Sequence, residues 1–420
     1  MVRHLFTMIW NQRKQNGWIY AELLLVLIGL WMIADNFVVK FYSYTRPLGY
    51  DVENCWRLSF DHYAPGAPEY VADTTRQVGD GEGLDRILNR LRRAPEVEEA
   101  CVAFWSSPYS PGNSWSSLMP CDGDTAVFKN RVFHRYQVSK EYYRVFRMQG
   151  KGGEDLSQFP GGGGYIVTPE MEEEFWDGAS AVGREVCGGP GDTEWVKVLA
   201  VTTQVRENDF VKPTPAFFYT LSEKEVAEFV DYVSAPSAEV SVRMKKEMTQ
   251  EEMNAFLTRM GEQLSEGNLY VSGAESWGNY RDNRLRYNWQ QLGIRILIAL
   301  FILMNVFFGV TGTFWLRVQQ RRAETGLRMA LGSTRRQVGW WLTAEGWLLL
   351  TGVLPLVAVF ILNVWHMELP DLDNLPFTWW RLVIGLGGSF LLMALMIAIG
   401  TWLPARRAMK LHPAEALHYE

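Results

Sequence analysis

The sequence predicts a membrane protein, with four transmembrane α-helices and a large α+β domain inserted between the first and second helices. The first observation behind this fold class is the separation of charge along the chain. Residues 40–289 carry 27 Lys and Arg and 38 Asp and Glu, a net charge of −11, whereas the rest of the 420-residue chain carries 14 and 9, a net charge of +5. An acidic middle is typical of a solvated domain and basic flanks are typical of membrane segments, so a wholly soluble enzyme and a simple nucleic-acid binder are both disfavoured.

The placement of tryptophan is the second observation. Of the 18 Trp residues, 12 lie within residues 10–31 or after residue 288. Indole rings favour the membrane interface, where the ring is buried and the N–H stays hydrated. Most of these indoles mark the ends of apolar runs and form an aromatic belt: Trp18, Trp289, Trp315, Trp340, Trp341, Trp365, Trp379, Trp380 and Trp402.

Four apolar stretches are the third observation, since a helix needs about 20 residues to cross the hydrocarbon layer. Basic residues precede the first stretch, as in a secretory signal peptide. No A-x-A-like cleavage site follows it, so we expect an uncleaved signal anchor. The stretches are residues 18–39, 292–316, 338–364 and 379–403.

The orientation follows from the basic residues beside these spans. The tails 1–17 and 404–420 each contain three Lys or Arg, and the segment 317–337 contains six Arg and a single acid, Glu324. The loop 365–378 contains three acids and no Lys or Arg. We therefore expect both termini in the cytoplasm and the large domain on the far side of the membrane.

The large domain is expected to have three parts: residues 40–105, 106–235 and 236–289. The first and third parts share a strand, helix, strand pattern, which suggests one small α+β module assembled around an insertion. In the third part, residues 239–244 alternate as a half-buried strand, and Thr249 with Glu252 forms a capping box. The insertion is expected to consist mostly of strands and loops, because Gly and Pro interrupt its β-rich stretches.

Motifs for catalysis, cofactors and metals are missing from the sequence. No P-loop motif occurs, and the glycine run 161–164 lacks the helix start and Lys that a phosphate cradle needs. The six His are scattered without metal-ligand spacing, and no nucleophile elbow is present. The three cytoplasmic segments total 55 residues, too few for an ATPase domain of about 100 residues. We expect no catalytic residue, cofactor or metal.

Four cysteines lie in the large domain, where an oxidising compartment would permit disulfides. Three pairings are open, and buried thiols are an equally good alternative. The cysteines are Cys55, Cys101, Cys121 and Cys187.

Three acids fall within the predicted spans, where a charge is costly and usually faces a helix bundle. Glu22 and Asp35 lie near the two ends of the first span and can reach the interface. Glu345 lies about two turns into the third span, so it is the better candidate for a polar contact between helices. The alternative is that it extends towards the inner headgroups.

The segment between the second and third spans contains a short amphipathic pattern. Leu327, Ala330 and Leu331 recur at helical spacing, and Gly332 is expected to end the helix. So short a helix needs a surface to dock against, unless it lies on anionic lipid headgroups.

This segment resembles the MacB and FtsX group of ABC transporter permeases, whose second and third spans flank a motif of the type R-x-x-E-I-G-x-R-x-A-x-G-A. The chain departs from the motif with Thr325 and Ser333. It matches the motif at Arg321, Glu324, Gly326, Arg328, Ala330 and Gly332.

Other parts of the chain are similar to the same group. The tail 404–420, with PARRA followed by PAEAL, resembles its C-terminal signature. The sequences YYRVF at 142–146 and VGR at 182–184 resemble patches of the MacB-like periplasmic domain, although this likeness is looser.

The resemblance implies a permease subunit in a bacterial inner membrane that works by mechanotransmission. A coupling helix would sit in a groove of a separate cytoplasmic ATPase, which binds the ATP. Two permease subunits, identical or different, and two ATPases would form the working unit, and the large domain would comprise Porter-like and Sabre-like subdomains. The residues implied in this docking are Arg321, Arg322, Glu324, Gly326, Leu327, Arg328, Ala330, Leu331 and Gly332.

The expected function is export of a drug, peptide or lipid-linked cargo, with a periplasmic adaptor or an outer-membrane channel as further candidate partners. The alternative is an FtsX-like signalling or scaffold subunit that regulates an envelope process without transport. The predicted domain of 250 residues favours the MacB-like or LolC/LolE-like architecture over the shorter FtsX kind.

Overall fold

A computed structural model describes residues 13–72, 78–110, 112, 114–121, 131–189, 194–320, 327, 331–369 and 374–408. The chain divides into two compact units. The helical unit comprises residues 1–45 and 288–420, and the β-rich unit comprises residues 46–287.

Four helices of the described residues are long and apolar enough to cross a membrane. Their shared core contains Leu27, Val306, Leu350, Val353 and Met393, each less than 1% exposed. Large apolar side chains also cover the outside of this unit, as expected of helices that face lipid rather than water. The helices are α1 (Arg13–Tyr44), α7 (Trp277–Gln320), α8 (Arg335–His366) and α9 (Trp379–Ala408).

The first part of the β-rich unit is a split βαβ module. Strands β1 (Cys55–His62), β2 (Val97–Phe104), β9 (Glu239–Met244) and β11 (Leu269–Ser276) pair in the order β11-β1-β9-β2, with every neighbouring pair antiparallel. The short strand β10 (Ser265–Glu266) pairs with β11 at the edge. The two strand–helix–strand units are therefore interleaved in one sheet, the arrangement of the ferredoxin-like folds.

Helices α2 (Asp80–Arg93) and α6 (Gln250–Met260) join the strands of each unit and pack their apolar side chains on the sheet. The capping box expected at Thr249 and Glu252 begins α6. A third helix, α5 (Glu223–Val233), has its own capping box at Ser222 and Glu225 and packs on the same core. The sequence predicts mostly strands and loops for this segment, so α5 is a difference between the prediction and the structure.

Close approach of α2 and α5 depends on a glycine. A Cβ at Gly81 would lie 2.2 Å from the carbonyl oxygen of Ala227. The carboxylate of Asp231 accepts a hydrogen bond of 2.8 Å from the Gly81 amide, which ties the first turn of α2 to α5.

The insertion between β2 and β9 forms a closed ring of six strands in the order β4-β3-β6-β7-β5-β8, which a parallel pairing of β8 with β4 completes. Pairing of β2 with β4 connects this ring to the split module. Two short helices, α3 (Tyr142–Val145) and α4 (Pro169–Trp176), follow β4 and β5. The ring strands are β3 (Trp115–Pro120), β4 (Arg131–Ser139), β5 (Tyr165–Val167), β6 (Glu185–Cys187), β7 (Val196–Val201) and β8 (Ala216–Leu221).

One strand differs from the alternating pattern that the sequence predicts. All six residues of β9 are buried, whereas a half-buried strand was expected at 239–244. Val240 and Val242 face the helix-covered core, and Glu239, Ser241 and Arg243 contact the segment after β2, the first residue of α7 and the end of α3. The prediction of a half-buried strand is wrong because the segments that cover the second side come from distant parts of the chain.

Candidate functional site

The predicted coupling segment lies between α7 and α8, and three of its residues fall within the described part of the chain. Leu327 and Leu331 are 51% and 80% exposed, and the amide of Leu331 donates to the carbonyl of Leu327 at 2.9 Å, one helical turn apart. Gly332 has a φ of +98°, a left-handed conformation that favours glycine at a helix end. The residues Arg321, Arg322, Glu324, Gly326, Arg328 and Ala330 lie outside the described residues.

Helix α8 begins directly after this segment. Thr334 and Gln337 form a reciprocal capping box, in which the Thr334 hydroxyl accepts from the Gln337 amide at 3.3 Å. The cap fixes the start of the span close to Gly332. Two exposed leucines therefore precede a glycine turn and a capped membrane helix.

A buried ion pair joins α1 to α9 within the helical unit. Arg381 donates from Nε to Oδ1 of Asp35 at 2.8 Å and from Nη2 to Oδ2 at 2.7 Å. The Arg381 Nη1 donates to the carbonyl oxygen of Leu375, and the guanidinium lies 5.6 Å from the centre of the Phe377 ring. Arg381 is fully buried and Asp35 is 7% exposed, so the charge is shielded from solvent while all three guanidinium nitrogens have partners.

The sequence pattern predicts no role for Arg381 and predicts that Asp35 reaches the interface, whereas the structure pairs the two side chains. An Arg inside an apolar span is a signal for a buried pair, because charged residues in such spans usually pair with one another. The partner could not be predicted from local patterns, since the two residues are 346 positions apart in the sequence.

Helix α1 also contacts α7 through polar groups. Asn36, next to Asp35, accepts a hydrogen bond from the guanidinium of Arg295. Further along, a Cβ at Gly309 would lie 2.2 Å from Oε1 of Glu22, so this glycine allows the carboxylate of α1 to approach the backbone of α7. Glu22, Asp35 and Asn36 of α1 thus lie against its neighbouring helices.

Glu345 is fully buried in the helical unit. The residues two positions before and after it bond to α9: the Thr343 and Thr401 hydroxyls are 3.2 Å apart, and Nε1 of Trp347 donates to the Ala394 carbonyl at 2.9 Å. A carboxylate at this depth of the helix packing is consistent with the expected polar contact between helices.

A second buried arginine, Arg243, lies on strand β9 of the β-rich unit. Arg243 donates from Nε to the carbonyl of Val145 at 2.5 Å, from Nη1 to that of Glu53 at 2.7 Å and from Nη2 to that of Asp51 at 2.7 Å. Its Nη1 also lies 3.3 Å from the Asp51 carboxylate. This side chain fixes residues 51–53 against the central strand of the sheet.

The first residue of α7 is held by the same strand. Nε1 of Trp277 donates to the hydroxyl of Ser241 at 3.2 Å, and its ring lies 6.0 Å from that of Phe146, edge to face. Phe146 ends the YYRVF sequence, whose Val145 carbonyl binds Arg243. Strand β9 therefore contacts both the segment that follows α1 and the start of α7.

All four cysteines are thiols in the structure, and Cys55, Cys101 and Cys187 are buried. Burial raises the pKa of the Cys55 thiol to about 12 and raises that of Cys101 well above its ordinary value. Since the thiolate is the reactive form, these two side chains behave as core residues. The described part of the chain contains no group of three or more His, Cys, Asp or Glu side chains that could hold a metal ion.

Comparison with known proteins identifies the helical part of the chain. Residues 296–413 match the FtsX-like permease C-terminal family, a stretch that runs from the middle of α7 past the end of α9. No curated protein matches the chain.

Three solved structures are similar to it. One is a domain assigned to a permease protein of Porphyromonas gingivalis, at 10% identity over 55% of this chain and 92% of that one, with a TM-score of 0.37. The second is the periplasmic region of MacB from Actinobacillus actinomycetemcomitans, at 10% identity over 56% and 94% of the chains, with a TM-score of 0.34. The third is the extracellular domain of the noncanonical ABC-type transporter YknZ from Gram-positive bacteria, at 12% identity over 52% and 100%, with a TM-score of 0.28. Residues 296–413 of the chain therefore form an FtsX-like permease C-terminal domain.

Proposed function

We propose that the chain is a non-catalytic permease subunit that couples ATP hydrolysis by a separate cytoplasmic ATPase to movement of its β-rich unit. The observation that carries the proposal is the match of residues 296–413 to the permease family, because this stretch contains the segment between α7 and α8. The exposed Leu327 and Leu331 would enter an apolar groove of the ATPase, and the basic residues around them would meet its acids.

In this proposal the β-rich unit lies outside the cytoplasm and both termini lie inside. The interleaved module of β1, β2, β9 and β11 would be the Porter-like subdomain, and the ring of β3 to β8 would be the Sabre-like one. A second permease subunit would complete the assembly. The function of this assembly would be to export a drug, peptide or lipid-linked cargo that it binds on the outer side of the membrane.

The docking role of Leu331 is testable by co-purification. We expect Leu331→Asp to abolish capture of the candidate ATPase by the tagged permease, because a carboxylate would have to be buried in the groove. Leu369→Asp is a matched control, since Leu369 is 68% exposed in the loop between α8 and α9 and would lie on the other side of the membrane. Intact ATPase capture and stimulation by Leu331→Asp would reject the coupling assignment.

The orientation has a separate test. A variant with Leu369→Cys as its single cysteine should react with a membrane-impermeant maleimide added from outside the inner membrane. Labelling only after the membrane is permeabilised would place this loop in the cytoplasm and reverse the proposed topology.

A further inference from the structure

Arg206 anchors a loop that contacts the chain immediately after α1. The junction loop, defined here as residues 204–211, lies between β7 and β8. Arg206 is 3% exposed, and its Nη1 donates to the carbonyl of Arg46 at 3.0 Å. Its backbone amide donates to the carbonyl of Leu48 at 3.0 Å. The side chain also binds its own loop, with Nε on the Val211 carbonyl at 2.8 Å and Nη2 on the Asp209 carbonyl at 2.6 Å.

A glycine brings the two segments into backbone contact. Gly49 has a φ of +84°, and a Cβ there would lie 2.0 Å from the carbonyl oxygen of Gln204. The next residue, Tyr50, donates from its hydroxyl to the carbonyl of Glu207 at 3.2 Å. Residues 46–50 are therefore held along the whole junction loop.

The same loop holds the beginning of α7. The Asp209 carboxylate is 2% exposed and receives Arg281 of the second turn of α7, with Nε on Oδ2 at 3.2 Å and Nη2 on Oδ1. The hydroxyl of Tyr109 donates to Oδ2 at 2.8 Å. The Arg281 side chain is 30% exposed, so loss of the arginine is the costly change, because it leaves the buried Asp209 carboxylate without this counter-charge.

A pocket of about 550 Å³ lies beside this helical turn, lined by Glu53, Trp56, Glu247, Gly278, Arg281 and Asp282 among others. Arg281 therefore borders this pocket and also binds Asp209, and the pair restrains the start of α7.

We propose that the junction loop couples the movement of residues 46–50, which follow α1, to the movement of the start of α7. Arg206 and Asp209 act as positioning residues. This inference rests on the proposed function, because coupled movement of the segments after α1 and before the second span has a role only in a force-transmitting permease. Displacement of α7 is delivered through Arg281 to Asp209, through the loop to Arg206, and from there to residues 46–50.

The test removes a contact on one side of the junction loop and measures hydrogen exchange on the other side. In purified full-length protein, Arg281→Gln should raise the hydrogen-exchange rate of the Arg206 amide, which reports the contact with Leu48, by about tenfold. In the reverse direction, Gly49→Ala should raise exchange in residues 277–285 by a similar factor, because coupling between two sites is reciprocal.

Arg284→Gln is the matched control, since Arg284 contacts Tyr280 of its own helix and should leave the Arg206 amide unchanged. Unchanged exchange in β2 and β9 establishes that each variant is folded, and Arg281→Lys, which keeps the charge, should give a smaller increase than Arg281→Gln. The inference fails if Arg281→Gln leaves exchange of the Arg206 amide unchanged and Gly49→Ala leaves exchange in residues 277–285 unchanged. Failure of the proposed function is a separate result, because it is read from ATPase capture by Leu331→Asp.

Discussion

The two units of the chain each bury an arginine completely, but they satisfy its charge in different ways. Arg243 of the β-rich unit donates mainly to three backbone carbonyls, and the Asp51 carboxylate is a distant fourth partner. Arg381 of the helical unit donates two hydrogen bonds to the Asp35 carboxylate. The loops around Arg243 have carbonyls that no strand or helix uses, whereas helices that span a membrane satisfy their own carbonyls internally. A buried cation between helices therefore depends on an acidic side chain.

The largest effect is expected from breaking the pair in the helical unit. Asp35→Asn should destabilise the protein by about 3–5 kcal/mol, because it removes the carboxylate charge that binds the buried guanidinium of Arg381 through two hydrogen bonds. The measurement is the midpoint of thermal unfolding of the purified protein in detergent. The double variant Asp35→Leu, Arg381→Met should recover most of the loss, because neither side chain of the pair then carries a buried charge. An unfolding midpoint for Asp35→Asn equal to that of the wild type would contradict the dependence on the acid.

His134 offers an intermediate case, in which a buried group avoids the need for a counter-charge by staying neutral. It is 6% exposed, stacks on Trp115 with 5.1 Å between ring centres, and burial lowers its pKa to about 4. In the unfolded chain the imidazole has a pKa of 6.5, so between pH 6.5 and 4 the unfolded state binds more protons than the folded state. Stability should fall as pH falls through this window.

The size of the effect follows from the two pKa values. Between pH 7 and 5 the His134 term should remove about 2 kcal/mol from the free energy of unfolding. Urea unfolding at both pH values, with His134→Phe as the comparison, isolates this term because Phe keeps the ring contact and does not titrate. An equal pH dependence in the two proteins would exclude a buried neutral imidazole.

The smallest effect is expected from removing the acid beside Arg243. Asp51→Asn should cost about 1 kcal/mol or less, because the three carbonyl contacts of the guanidinium remain. Arg243→Met is the companion variant and should cost about 3 kcal/mol, since it leaves buried carbonyls without a donor. Equal losses for Asp51→Asn and Asp35→Asn would remove the distinction between the two units.

The membrane helices and the split module follow closely from periodic patterns. Apolar runs of sufficient length fix the spans, and Thr249 with Glu252 fixes the start of α6, because both signals are local. Helix α5 was not predicted, because the segments around it are rich in strand-forming residues. Its capping box of Ser222 and Glu225 is nevertheless an equally local signal. The expected resemblance to FtsX-like permeases is confirmed over residues 296–413, while the coupling role of Glu324 and its neighbours stays a prediction.

By itself, the sequence determined which segments are apolar enough to leave water, where charge collects along the chain and where short motifs begin and end helices. Tertiary structure alone decided that Asp35 meets Arg381, that Asp209 meets Arg281 and that the polar face of β9 is covered. These contacts join residues 346, 72 and up to 192 positions apart. Local pattern reports the preference of each segment for water or lipid, but a buried charge finds its partner only when the packing of distant segments excludes solvent from both.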